Sequence, residues 1–260
     1  MKKIGFLSIL LMFGLSACVS TDVKESVTED QAEQGAQQDE NVSEPGTLLI
    51  FNEQEDNDSG LFTTRIFVNP NYMHISDSRN PANFLILNRV EKTIYSITRE
   101  DKTIFVIKNK DIKIKPPIDI TYKEESQPSG SIPKIDGRQA THYKFTANNA
   151  HCYDAVVMPD DFLPDVLAAM REFRLILAGE HATTVDRTPK DMLDACDLAL
   201  NVFYSTKHMN HGLPIREWDR NGYMRFLKDY RPNIVAPMEI FELPEDFQRY
   251  SVGDELMKQQ

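Results

Sequence analysis

From Thr47 onward, apolar and polar residues alternate in short runs: Thr47–Asn52, Phe62–Val68, Tyr72–Ile75, Asn83–Leu87, Thr93–Ile97 and Thr103–Ile107. A period of two with β-branched and aromatic residues predicts strands. Between them lie turn-forming clusters, Asn57-Asp58-Ser59-Gly60, Asn69-Pro70-Asn71, Ser78-Arg79-Asn80-Pro81 and Arg99-Glu100-Asp101-Lys102. Strands this short at such regular spacing predict an antiparallel meander. The alternation continues over Asp111–Lys115, with Ile112 and Ile114 on one side, and stops at Pro116-Pro117; a looser segment covers Glu124 to Ile135. Further strands are predicted at Gln139–Phe145, Cys152–Met158, Leu213–Trp218, Tyr223–Tyr230 and Met238–Leu243. Asn221-Gly222 within Asp219-Arg220-Asn221-Gly222 signals a tight hairpin.

Two stretches change period. Leu163–Leu177 places Leu163, Val166, Leu167, Met170, Phe173 and Leu177 on one helical face, with Pro164 at its start and Gly179 as its expected stop. A second helix is predicted from Thr188 as N-cap, with Pro189 in the first turn and Asp191 reaching back. Its apolar stripe runs through Met192, Cys196, Ala199, Leu200 and Phe203. Either stripe reads as core packing or as the wall of a ligand site.

Before Thr47 the pattern is of another kind. Lys2 and Lys3 precede an apolar run from Ile4 to Leu15, a basic-then-apolar arrangement typical of secretion signals. A membrane-spanning helix needs about 20 apolar residues, so this run is too short to be one. Residues 19–46 hold eight acidic side chains, one Lys and no aromatic residue. Such a segment buries too little to offset chain entropy, so it is expected to be disordered, with ends roughly 30 Å apart on average.

Composition sharpens this division. The 260 residues carry 29 basic and 40 acidic side chains, a net charge of −11. Without the two lysines of residues 1–17 and the −7 of residues 19–46, the part from 47 onward carries only −6. Nucleic acid as a partner is disfavoured, because phosphate contacts require clustered Lys and Arg. Electrostatic docking on anionic lipid is disfavoured for the same reason.

Leu15-Ser16-Ala17-Cys18 resembles the lipobox of bacterial lipoproteins. The resemblance implies cleavage before Cys18, a lipid such as palmitate on its thiol, and anchorage to a membrane. Val19, rather than aspartate, directly after that cysteine implies the outer membrane of a Gram-negative cell, with the domain facing the periplasm. The expected layout is a signal peptide at 1–17, the lipidated Cys18 with an acidic tether over 18–46, a folded domain over 47–250 and a flexible tail over 251–260. With Cys18 assigned to lipid, Cys152 and Cys196 remain, and an oxidising compartment makes a disulfide between them the natural reading. Two buried free thiols are the other.

Little in the sequence specifies catalysis. There is no Gly-x-Ser-x-Gly elbow, phosphate-binding Gly loop or His-Glu-x-x-His. His208 and His211 are the only close histidine pair, in a segment running into Gly212 and Pro214, without an evident third ligand for a metal. His142, His151 and His181 are scattered. Neither a metal nor a cofactor is expected, and an envelope hydrolase using His208 or His211 is the weakest reading.

The closing stretch carries a second resemblance. Gly212-Leu213-Pro214-Ile215-Arg216-Glu217-Trp218-Asp219, then Gly222 and a strand, then Phe241-Glu242-Leu243-Pro244 before Phe247, resembles the end of LolA-like lipoprotein-carrier and sorting domains. The strands Arg65–Val68, Tyr72–Ile75, Asn83–Leu87 and Thr93–Ile97 follow in similar style. This implies an α+β fold: a curved, incompletely closed antiparallel sheet, a half-barrel, with two helices packed on its concave face. It also implies an interior that accepts an apolar ligand or a lipoprotein acyl chain. Candidate lining residues are Leu167, Met170, Phe173, Leu200 and Phe203. The rival expectation is a non-enzymatic envelope accessory lipoprotein, with a filled core and a surface that contacts a protein partner.

Overall fold

The computed structural model describes residues 42–252 apart from 59, 131 and 186. The signal peptide, Cys18 with its lipobox, the tether up to residue 41 and the tail from residue 253 lie outside the described residues.

Twelve strands form one open, curved, mostly antiparallel sheet. Six run in sequence as a meander: β1 (Gly46–Gln54), β2 (Phe62–Val68), β3 (Tyr72–Asp77), β4 (Phe84–Asn88), β5 (Thr93–Thr98) and β6 (Thr103–Lys108). Three more, β7 (Tyr122–Pro128), β8 (Thr141–Ala147) and β9 (Ala150–Met158), form the opposite edge. The hairpin of β10 (Leu213–Asp219) and β11 (Met224–Ile234) joins the halves, with β11 against β1 and β10 against β9. A short β12 (Gln248–Tyr250) adds the one parallel pairing among the described residues, to β6. Turn chemistry sets these registers. Asn148 and Asn149 both take positive φ, the geometry of a two-residue hairpin turn that asparagine tolerates. At the β10–β11 turn, Asp219 Oδ1 accepts from the backbone N–H groups of Asn221 (2.8 Å) and Tyr223 (3.0 Å), and Gly222 takes φ +97° against Asn57.

Helix α1 (Pro164–Val185) crosses one face of the sheet and touches β2, β5, β6 and β10. Its Val166, Leu167, Ala169, Met170 and Ile176 pack with Leu49, Phe51, Ile66, Val68 and Ile94 in the main core. Arg89, just past β4, fixes the helix in place: Nε and Nη2 donate to the two oxygens of Glu172 at 2.8 and 3.0 Å, a bidentate grip. The helix runs past Gly179 instead of stopping there. That glycine is needed for proximity, since a Cβ on it would sit 2.3 Å from the Lys110 carbonyl oxygen.

The opposite face is covered by the C-terminal chain. Residues Met238–Phe241, expected as a strand, form a 3-10 turn after Pro237, which has no N–H to give to a ladder. The turn drives Phe241 between Phe67 and Tyr72, with ring centroids at 5.9 and 4.8 Å.

Four other expectations are corrected. The second helix does not begin at Thr188: Lys190–Met192 is a 3-10 turn, Met192 is 71 % exposed, and Leu193 is extended. Only Ala195–Leu198 is α-helical (α2), because Asp194 acts as the cap and accepts from Asp197 N–H at 2.9 Å; Ala199–Phe203 follows as a π-turn. Residues 111–115 form no strand, yet Ile112 and Ile114 bury against Ala182, Val185, Leu198 and Val202. The segment Glu124 to Ile135, expected to be loose, is in its first part an edge strand, Tyr122–Pro128, whose Lys123, Glu124 and Glu125 discourage edge-to-edge pairing. Lastly, residues 42–46 belong to the fold rather than the tether: Ser43 is buried, its N–H donates to Ala236 O at 2.8 Å, and its Oγ accepts from Ala236 N–H at 3.2 Å.

Candidate functional site

Between α1 and the sheet the packing leaves a cavity of about 360 Å3. Helical spacing brings Met170, Phe173, Arg174 and Leu177 to one wall, residues i, i+3, i+4 and i+7 of the same face. Ile66 of β2 and Met73 and Ile75 of β3 supply the facing apolar wall, and Leu200 closes one side. Met209 adds a further apolar side chain, and the rest of the lining is polar: Tyr153, Asn201, Asp219, Tyr223 and Arg225 with Arg174. A neighbouring groove of about 420 Å3 shares Ile66, Ile75, Phe173 and Arg225 with it and extends to Thr98.

Behind the polar end sits a buried ionic cluster. Glu217 is 1 % exposed; one carboxylate oxygen accepts from the Tyr153 hydroxyl and the other from Arg225 Nε. Glu217 and Arg225 face each other across β10 and β11, so the hairpin register alone pairs them. Burial pushes the Glu217 carboxyl up, but Arg225, with His208 and Arg174 behind it, outweighs burial and holds it below the ordinary carboxylate range. Burial drives the Tyr153 phenol well above its usual value, with Glu217 adding to the effect, so it keeps its proton and donates it to Glu217. The Tyr223 phenol is raised in the same way, and burial also raises the Glu53 carboxyl. Arg225 further lies 4.9 Å over the Phe51 ring.

His208 stands against this cluster, its Nε2 3.7 Å from Glu217 Oε1 and its ring edge-on to Tyr153 at 5.4 Å. Both of its ring nitrogens are buried without a hydrogen-bond partner among the described residues. Burial lowers its pKa to about 3 against the opposing pull of Glu217, so the imidazole is neutral. His211 points elsewhere, stacking on Tyr143 at 4.1 Å and meeting Glu124 Oε1 at 3.0 Å. The two histidines therefore share no site. Another cluster lies nearer the β7 edge, where buried Asp154 meets His142 Nε2 at 2.7 Å and His151 Nε2 at 2.5 Å. Among the described residues no group of three or more His, Cys, Asp or Glu side chains is arranged to hold a metal ion.

Cys152 and Cys196 form a disulfide, with Cα atoms 5.2 Å apart, tying β9 to α2. Of the residues expected to line a ligand site, Met170, Phe173 and Leu200 do line the cavity. Leu167 instead lies sealed in the main core, because its position on α1 aims it at the sheet rather than at the gap. Phe203 is carried by the π-turn into the cluster of Ala182, Leu198 and Val202. The polar half of the cavity escaped the apolar periodicity; the Glu217–Arg225 register was the signal that could have found it.

No known family model matches the chain, and no curated protein matches it. Among solved structures, an uncharacterized conserved protein from Thermus thermophilus is similar at 10 % identity and a TM-score of 0.40, covering 80 % of this chain and 91 % of that one. PNGF-II is similar at 8 % identity and a TM-score of 0.40, covering 83 % of this chain and 32 % of its own. Neither likeness bears on the chemistry of the site.

Proposed function

We propose that this protein is an outer-membrane lipoprotein, anchored through lipid on Cys18 and facing the periplasm, that binds an apolar ligand or a lipoprotein acyl chain without catalysing a reaction. In this reading the sheet is a LolA-like half-barrel and α1 and α2 pack on its concave face. The supporting observation is the 360 Å3 cavity under α1, walled by Met170, Phe173, Leu177 and Leu200 over Ile66 and Met73. Ligand sites commonly have this size, and an apolar wall with a few placed polar groups is their usual make-up. The Cys152–Cys196 bridge restrains the segment carrying Leu200, which suits a fixed acceptor or receptor better than a shuttle with a swinging lid.

The rival, an envelope accessory lipoprotein that contacts a protein partner, draws on the sealed core around Leu167. Native mass spectrometry of the purified protein separates the two. Acyl species should accompany the wild type and be lost from Met170→Trp, whose indole fills the gap. A wild type free of such species, and unable to take them up when they are offered, would reject the ligand-binding reading. The anchor has its own test: palmitate labelling should vanish in Cys18→Ala, and persistent label would reject lipidation there.

A further inference from the structure

The cavity is not uniformly greasy, and its charges are not all matched. Glu217 is saturated by Tyr153 and Arg225, and the Asp219 oxygen is held by the backbone amides of its own turn. Arg225 has Glu217 as its counter-ion, with Glu53 also nearby. Arg174 differs. It projects from the same face of α1 as Met170 and Leu177, lines the cavity, and makes no hydrogen bond or ion pair with any described residue. Glu217 acts on it only through its longer-range field. The Arg174 nitrogens are not sealed in the interior but remain open to the cavity, and the five donors of a guanidinium fit a carboxylate or phosphate bidentately. Tyr223 lines the cavity beside it and holds its proton, which makes it a hydroxyl donor to the same group.

From the juxtaposition of this spare cation with the apolar wall, we infer that the cavity takes an amphiphile: one alkyl chain against Met170, Phe173 and Ile75, with a single anionic head on Arg174. At roughly 30 Å3 per water-sized group, 360 Å3 holds about a dozen heavy atoms, head included, so about nine or ten chain carbons fit inside and the end of a longer chain continues into the neighbouring groove. The inference rests on the proposed reading of the cavity as a ligand site and adds to it the head group. A free fatty acid and a phosphate monoester of the phospholipid kind present the same chemistry, an anion at the end of a chain.

Calorimetric titration of the full chain with dodecanoate, dodecyl phosphate and dodecanol tests this. The anionic ligands should bind about ten- to a hundredfold more tightly than dodecanol, the range expected when a charge-assisted hydrogen bond is lost. Whichever anion binds more tightly identifies the source, a fatty acid or a phosphate ester. Arg174→Gln should erase the preference by weakening the two anions far more than dodecanol, and Arg174→Lys should retain most of it. Equal binding of dodecanol and dodecanoate by the wild type, or a preference that survives in Arg174→Gln, overturns the inference and leaves the apolar cavity standing. Uptake of none of the three overturns both.

Discussion

The two faces of β2 and β3 are made from neighbouring residues yet end differently. Ile66, Met73 and Ile75 look toward α1 and border a cavity, whereas Phe67 and Tyr72, one residue away along the chain, are capped by Phe241. A helix is a stiff rod laid across a curved sheet, so it touches at some places and bridges a gap at others. A turn of irregular chain such as Met238–Phe241 can follow the surface and plug it. The difference shows that this sheet spends its regular cover on the side that holds space and its irregular cover on the side that is filled.

The largest expected effect lies at the polar end of the open face. Glu217→Ala strands Arg225 in the interior and should cost about 3–5 kcal/mol in urea unfolding, the typical result of removing one partner of a buried pair. Replacing Glu217 and Arg225 together by Met should cost clearly less. Equal losses would mean that the cluster is not coupled. Next comes the bridge that pins α2 beside the cavity. Cys152→Ser with Cys196→Ser frees a 44-residue separation, and the lost loop constraint is worth roughly 4 kcal/mol or somewhat less. An unchanged melting temperature would deny the bridge any stabilising role.

A matched pair of truncations addresses the faces themselves. Phe241→Ala on the filled face should cost about 3–5 kcal/mol, while Phe173→Ala, whose ring already borders empty space, should cost about 2 kcal/mol less. If the two are equally damaging, the faces are packed alike. Per pH unit the smallest effect is a pH slope. His208 titrates near pH 3 in the fold and near its ordinary 6.5 when unfolded. The unfolded chain therefore binds the extra proton between those values, and stability falls as pH drops from about 6.5 towards 3. His208→Phe should remove one proton from that slope, about 1.4 kcal/mol per pH unit at most. A variant with the wild-type slope would place His208 outside the interior.

Most of the sheet was legible because short alternating runs bounded by Asn, Asp, Gly and Pro admit few other readings; β2 begins and ends where its pattern does. Elements that failed did so for identifiable reasons. Met238–Leu243 alternates like a strand, but Pro237 and the pull of the Phe67–Tyr72 pocket fold it into a turn. Thr188-Pro189 looks like a helix start, yet Asp194, bridged to Arg220 at 2.7 Å, caps the helix six residues later. Gly179 resembled a stop because the approach of Lys110 is a tertiary fact. Of the site, the apolar wall could be read from helical spacing, which names Met170 and Phe173 but cannot tell them from Leu167. Arg174 was invisible, since a charged residue on a helix reads as a solvent-facing one until the sheet beneath it is known.

The proposed ligand lays its alkyl chain in the space under α1 and its anionic head on Arg174. A crystal structure of the protein with 12-bromododecanoic acid tests this most directly. A bromine anomalous peak is expected among Met170, Phe173 and Ile75, with the carboxylate on Arg174. A bromine peak on the Phe241 face or at the solvent surface, with the cavity unchanged, would contradict it.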